Sequence, residues 1–372
     1  MPQAFWADNT TKRMIRDPSK YDYIDAVRGL AILGVIAVHS SQQVGFTPHA
    51  LQWLISMGAS GVQLFYIASA LTLCLSWHAR ASYESAPVRN FFIRRFFRIA
   101  PLFWLAIVLY PFLITGFSAS YWAPNGIKWW FLPTTALFLH GFHPEIINSV
   151  VPYGWSVAVE MSFYAILPML LIKLQTIRAQ FAFLVATVVL YNVMTTITCR
   201  TVLLMYPLDQ QYLVSDFMSL NFLAQLPVFA IGLLSYSVLV ARYEQKKAMF
   251  IGGIATFIAF MILFLVSPSK PRIVPTHVVF GLFFAFFTLA LARYPVKLIV
   301  NPVVVFMGKI SYGMYLSHFA IIHFVLKLHI GCFVLLRRAC VAAKTRRRWP
   351  EDCPRDVSGW AHPGANVASA WV

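Results

Sequence analysis

Few residues in this chain are able to react, and their spacing sets the first questions. Arg28 and His39 bracket the apolar run 29–38. They stand 11 residues apart. That is within about 20° of three full turns, so on a helix both occupy one face, about 16 Å apart along the axis. An ionisable group in such a run normally faces a bundle interior or a water-filled cavity, and an imidazole there is a candidate general base. The competing readings are a snorkelling anchor for Arg28 and a hydrogen-bonded structural histidine for His39. Glu160 is the single carboxylate well inside any apolar run, with Ser156 four residues earlier on the same face. A buried carboxylate has to be protonated or partnered. Counted from the outer end of its run, Glu160 lies roughly 10 Å deep, a depth similar to that of His39. The geometry allows a His39–Glu160 pair in which the carboxylate strengthens the imidazole as a base. A purely structural contact between the two is the alternative.

Two further groups carry polar chemistry. Arg94, Arg95 and Arg98 open the run that ends near Phe117. Arg94 and Arg98 share a face at i,i+4, and Arg95 reaches Arg98 at i,i+3. Clustered guanidinium groups suit bidentate phosphate binding; anchoring in lipid headgroups is the other reading. Ser311, Tyr315 and His318 form a polar stripe at i, i+4, i+7, suited either to lining a substrate cavity or to hydrogen bonding between helices.

The elements that must position these residues are oily. Of 372 residues, 59% are hydrophobic and 12% charged, with a mean hydropathy of +0.68. A soluble domain is about a quarter charged, so the composition predicts an integral membrane protein, an all-α polytopic transmembrane bundle. Runs near the roughly 20 residues of a span cover 24–44, 60–77, 97–117, 153–174, 181–203, 219–240, 249–266, 276–294 and 303–327. A tenth run, 127–140, is short and interrupted by Pro133, which predicts a re-entrant or interfacial segment. The net charge of +17 sits in short loops and in the tail, a pattern for cytoplasmic loops and anionic lipid rather than nucleic acid. Cys74, Cys199, Cys332, Cys340 and Cys353 are scattered and odd in number, which predicts no disulfide framework and no metal site. The first apolar run follows about two dozen polar residues and contains an arginine, so it is expected to stay as a span and not to be cleaved.

Loop charge gives the orientation. A cytoplasmic N-terminal segment, residues 1–23, holds Lys12, Arg13, Arg16 and Lys20 and leaves loop 42–59 outside without Lys or Arg. If 127–140 does not cross, Arg80, Arg89, Lys173, Arg178, Arg242 and Arg293 all fall inside, with Lys270 and Arg272 as exceptions. Nine crossings then place outside a tail that holds Arg337, Arg338, Lys344, Arg346, Arg347, Arg348 and Arg355, against the rule. The expected division is a cytoplasmic segment 1–23, a transmembrane domain 24–328 and an atypical basic, disordered tail 329–372.

In this order the motifs resemble those of the acyltransferase-3 family of polytopic membrane acyltransferases. An Arg-x10-His motif matches Arg28 and His39. A Gly-Val-x-Phe-Phe-x-x-Ser-Gly segment matches Gly61, Val62, Phe65 and Ser69, with Ala70 where glycine is usual. Arg-x-x-Arg falls on Arg95 and Arg98, Trp-Ser-x-x-x-Glu on Trp155, Ser156 and Glu160, and Ser-Tyr-x-x-Tyr-Leu on Ser311, Tyr312, Tyr315 and Leu316. The resemblance implies about ten spans, of which the last, a return helix, is missing from 331–372. It also implies a bacterial cytoplasmic (inner) membrane and transfer of an acyl group, commonly acetyl, from acyl-CoA to a hydroxyl of a carbohydrate. That acceptor would be a cell-surface polysaccharide or its lipid-linked precursor. On this reading His39 is the base and Glu160 orients it, while Arg28, Arg94, Arg95 and Arg98 hold the CoA phosphates. Ser156, Ser311 and Tyr315 line the substrate site. Acyl-CoA is then a donor substrate, no cofactor is bound permanently, and the remaining partners are the acceptor and the bilayer. Oligomeric state is not read. The rival classes are a transporter or flippase of a lipid-linked or small polar substrate, and an inactive truncated relative. Ionisable groups gathered into one His–Glu layer and one Arg layer favour transfer, since a transport path would spread them over several spans.

Overall fold

The computed structural model describes residues 21–44, 49–81, 83–241 and 274–344, and among these the chain is helical and contains no strand. The long helices are α1 (Asp22–Val44), α3 (Gly61–Arg80), α4 (Pro87–Leu109), α6 (Trp155–Lys173), α7 (Ile177–Thr201), α9 (Phe222–Ala241), α10 (Thr276–Arg293) and α11 (Pro302–Lys344). Short helices α2 (His49–Ser56), α5 (Phe131–Ala136) and α8 (Gln211–Leu220) connect them. Among the described residues 7 helical stretches are long and apolar enough to cross a membrane. Hydrocarbon offers the backbone no partner, so each span has to close its hydrogen bonds internally, as a helix does. Seven of the expected spans fall on these stretches, 303–327 falls on α11, which is not among the seven, and 249–266 lies outside the described residues. Run 127–140 becomes the six-residue α5 and a turn at Leu139–Phe142, too short to cross. Helix α11 continues past Leu328 to Lys344, so the helix does not stop where the expected tail begins; residues 345–372 lie outside the described residues.

Local sequence accounts for the ends of the site-bearing helices. The Asn301 side chain accepts from the backbone N–H groups of Val303 and Val304 at 3.0 Å each, and Pro302 takes the first helical position, where its missing N–H costs nothing. Pro87 does the same for α4. Helix α7 turns Phe181, Val185, Val189, Val193 and Ile197 outward along one stripe, a face for lipid rather than protein.

Two helices determine where the site lies. α1 and α11 run side by side in parallel, pressed together where neither can carry a side chain. A Cβ on Gly308 would collide with the Asp25 carbonyl, and one on Gly29 with the Val304 carbonyl. Small residues permit such backbone approach in membrane bundles. His39 lies 10 residues beyond Gly29, and His318 lies 10 beyond Gly308. Each glycine meets the other helix 14 residues before that helix's histidine, at Val304 and Asp25, so averaged over the two contacts each histidine lies 12 residues, about 18 Å, further on, and the two come level. α4 adds a second tie. The Tyr110 hydroxyl donates to the Leu316 carbonyl at 2.7 Å and accepts from the Ala320 N–H at 3.1 Å. These two groups would otherwise bond to each other within α11, so Tyr110 wedges the helix beside His318.

Candidate active site

Nδ1 of His39 and Nε2 of His318 are 3.0 Å apart in the interior. The ring centres are 5.2 Å apart and the planes differ by 15°. With the nitrogens so much closer than the centres, the contact is edge to edge, in line with the ring lone pairs. Nδ1 of His318 is bonded to the Tyr315 carbonyl one turn back. His39 is also enclosed by Tyr153, 4.1 Å away between ring centres, and Phe319, 4.8 Å away, which stack on each other. Tyr153 adopts φ 56°, a left-handed conformation uncommon for an aromatic residue. Its carbonyl accepts from the Tyr315 hydroxyl at 2.7 Å, and that hydroxyl in turn accepts from Ser156 at 2.7 Å. Ser156 and Tyr315, expected to line the substrate site, thus stand beside the histidines with their protons already committed. Ser311 is buried on the same helix.

Glu160 does not pair with His39, which corrects the expectation from equal depth. Its Oε1 accepts from Ser69 at 2.6 Å and from Tyr164. Tyr153, just before α6 and seven residues ahead of Glu160, is the residue packed against His39. Seven helical residues span roughly 10 Å, so depths counted from the ends of two spans are off by about two turns, enough to separate the groups. The carboxylate instead lies within electrostatic reach of Arg28 and Arg95. Arg28 donates to Thr72 at 3.1 Å and meets Asp25 at 3.4 Å. Arg95 is only 8% exposed, with its guanidinium 5.8 Å from the Phe91 ring and 5.9 Å from the Tyr164 ring. Its Nε has no partner among the described residues. Arg98 is exposed but within electrostatic reach of both Arg28 and Arg95. Arg94 departs from the expected cluster and turns to Glu84 at 2.7 Å. One face of α1 therefore carries an imidazole layer at one end and a guanidinium–carboxylate layer at the other.

The imidazole layer can accept a proton, and the other layer can hold an anion. Reading by sequence missed Tyr110, Tyr153, Ser69, Thr72 and Tyr164 as parts of these layers. Ser69 had a signal in its motif, whereas the tyrosines look like ordinary span aromatics. Among the described residues no group of His, Cys, Asp and Glu could hold a metal ion.

Comparison with known proteins bears on this site. A family model described as an acyltransferase domain, that of the acyltransferase-3 family, matches residues 21–329. The acyltransferase MdmB of Streptomyces mycarofaciens is 32% identical over 167 residues, 42% of this chain and 40% of that protein. A Staphylococcus aureus (strain COL) protein provisionally named an O-acetyltransferase is 23% identical over 329 residues, 81% of this chain and 50% of its own length. The peptidoglycan O-acetyltransferase OatA of Listeria monocytogenes is 28% identical over 178 residues, 43% of this chain and 26% of that protein. The chain is thus matched over half or less of the length of each of these relatives. No solved structure matches it.

Proposed function

We propose that this chain, which belongs to the acyltransferase-3 family, is a membrane O-acyltransferase that moves an acyl group, commonly acetyl, from acyl-CoA to a carbohydrate hydroxyl. The observation that carries the reading is the division of α1 into two layers on one face. The CoA phosphates lie against Arg28, Arg95 and Arg98, and the pantetheine arm runs along α1 toward His39, about 16 Å away. His39 takes the acceptor hydroxyl proton while that oxygen attacks the thioester carbonyl. The C–S bond breaks, the leaving thiolate takes up a proton, and an ester and free CoA result. Names of relatives that include O-acetyltransferase and peptidoglycan O-acetyltransferase support acetyl as the group and a cell-wall carbohydrate as the acceptor class. Loop charge supports a cytoplasmic N-terminus, and the bacterial relatives support a bacterial inner membrane.

The deciding experiment replaces the base. In isolated membranes supplied with radiolabelled acetyl-CoA, His39→Ala is expected to lower transfer to the carbohydrate fraction by about 1,000-fold, with acetyl-CoA binding retained. Near-normal transfer by that variant ends this mechanism.

A further inference from the structure

We propose that His318 positions His39, and that the two imidazoles hold one fixed proton arrangement in which Nε2 of His39 is the unprotonated nitrogen. The inference rests on the reading of His39 as the base and adds to it a partner and a tautomer. A carbonyl only accepts, so Nδ1 of His318, bonded to the Tyr315 carbonyl, carries a proton. A neutral imidazole has one N–H and one lone pair, so Nε2 of His318 is an acceptor. The edge-to-edge contact with Nδ1 of His39 at 3.0 Å then requires the proton to be on His39 Nδ1. His39 Nε2 is left with the lone pair.

The premise of neutrality follows from the surroundings. His39 is 8% exposed and His318 3%. The groups that face them are Tyr153, Phe319, Tyr315 and each other; Glu160 is hydrogen-bonded to Ser69 and Tyr164. An imidazolium here would lack a counter-charge, which low-dielectric surroundings penalise heavily. The consequence for catalysis is direct. His39 can receive a proton on Nε2 with no tautomer change, and its Nδ1–H bond to His318 becomes charge-assisted as the imidazolium forms. His318 therefore does what a base-orienting third group does in nucleophile–base–orienter arrangements, with a carbonyl-anchored imidazole as that group. The Gly308 contact and the Tyr110 wedge both act on α11, and this assignment gives each a purpose: they hold His318 level with His39.

The test compares His318→Gln with His318→Asn. The Gln amide oxygen reaches the place of the lost Nε2 acceptor, whereas the shorter Asn reaches only that of Nδ1. In membranes supplied with radiolabelled acetyl-CoA, His318→Asn is expected to lower kcat about 100-fold with the acetyl-CoA KM within about twofold, and His318→Gln to regain about tenfold of that loss. Equal losses in the two variants, or no loss in either, overturn the proposal. Survival of transfer in His39→Ala overturns the reading of His39 instead, so the two failures are told apart. A second measurement reads the ring nitrogens of the wild-type protein directly. Nitrogen-15 NMR of the histidine-labelled wild-type protein in lipid vesicles, assigned by difference with His39→Gln and His318→Gln, is expected to show protonated Nδ1 and bare Nε2 on both rings. A proton on Nε2 of neutral His39 contradicts the arrangement outright.

Discussion

The His39 end and the Arg28 end of α1 dispose of their polar groups in opposite ways. At the His39 end the bonds run in closed sequences from side chain to backbone: His39 to His318 to the Tyr315 carbonyl, and Ser156 to Tyr315 to the Tyr153 carbonyl. At the Arg28 end Glu160 is tied by Ser69 and Tyr164, yet Arg95 keeps a buried Nε without a partner among the described residues, and Arg98 is exposed. A buried donor left unpaired costs on the order of 1–3 kcal/mol, so the Arg95 Nε is a donor that a ligand, an ion or a water would satisfy. On the proposed reading, the His39 end reacts and the Arg28 end binds. The first is pre-organised, as transition-state chemistry requires, and the second keeps donors in hand for an anionic substrate.

After His39→Ala, the largest effect is expected from a residue in neither layer. Gly308→Leu forces a side chain into the Asp25 carbonyl, so α11 has to slide or separate, and both layers lose alignment together. Acetyl transfer should fall more than about 100-fold, since small displacements of reacting groups cost rate steeply, and the thermal midpoint of the purified protein should drop by several degrees, about 4 °C or more. Retained activity and an unchanged melting curve would show that the layers are aligned without this contact.

Next in size is Arg95→Ala, which acts on one layer alone. A charge-assisted contact to phosphate is worth about 1.5–3 kcal/mol, so the acetyl-CoA KM should rise about 10- to 100-fold with kcat changed far less. The rise should shrink when the donor lacks the phosphates. An equal loss for full-length and phosphate-free donors would assign Arg95 to lipid anchoring instead.

How much of this was legible beforehand follows the physics of each signal. The spans were legible because lipid demands long apolar runs, and Arg28 and His39 on one face followed from helical periodicity alone. The His39–His318 contact was not, though both residues were visible. His318 stood in the Ser311–Tyr315 stripe, but nothing in a one-dimensional pattern tells which helix the stripe faces or at what height. Height is decided by backbone approach at Gly29 and Gly308, a pairing across residues far apart in the chain. The same limit produced the His39–Glu160 pair: two depth counts agreed, yet Tyr153 and not Glu160 stands against His39. Arg94 was grouped with Arg95 and Arg98 because i,i+4 spacing ignores competitors, and Glu84 in the preceding loop captures it.

Glu160→Gln should have a moderate effect and a telling one. The carboxylate faces the guanidinium layer, so its loss is expected to raise the acetyl-CoA KM about tenfold and to leave the proton-transfer step nearly intact. In a double-mutant cycle it should add to His318→Asn and fail to add to Arg95→Ala, because Glu160 and Arg95 share Tyr164 and lie within electrostatic reach of each other. Strong coupling to His318→Asn with none to Arg95→Ala would place Glu160 back with the imidazoles.

The smallest effect is expected at Arg94, and its smallness is the sharpest check on dividing the arginines. By sequence Arg94 is as good a phosphate ligand as Arg95, one residue away. In the folded chain Arg94 bonds Glu84 at 2.7 Å in the loop before α4, while Arg95 turns inward between Phe91 and Tyr164. Adjacent residues on a helix point about 100° apart, so the two cannot serve one ligand equally. A partly exposed ion pair contributes little, since solvent screens it and two long side chains must be held still. Arg94→Ala should therefore leave the acetyl-CoA KM within about twofold and the melting curve unmoved. Should it instead raise KM as far as Arg95→Ala does, and the rise depend on the donor phosphates in the same way, the Glu84 pair must open to bind CoA, and the binding layer extends to the loop.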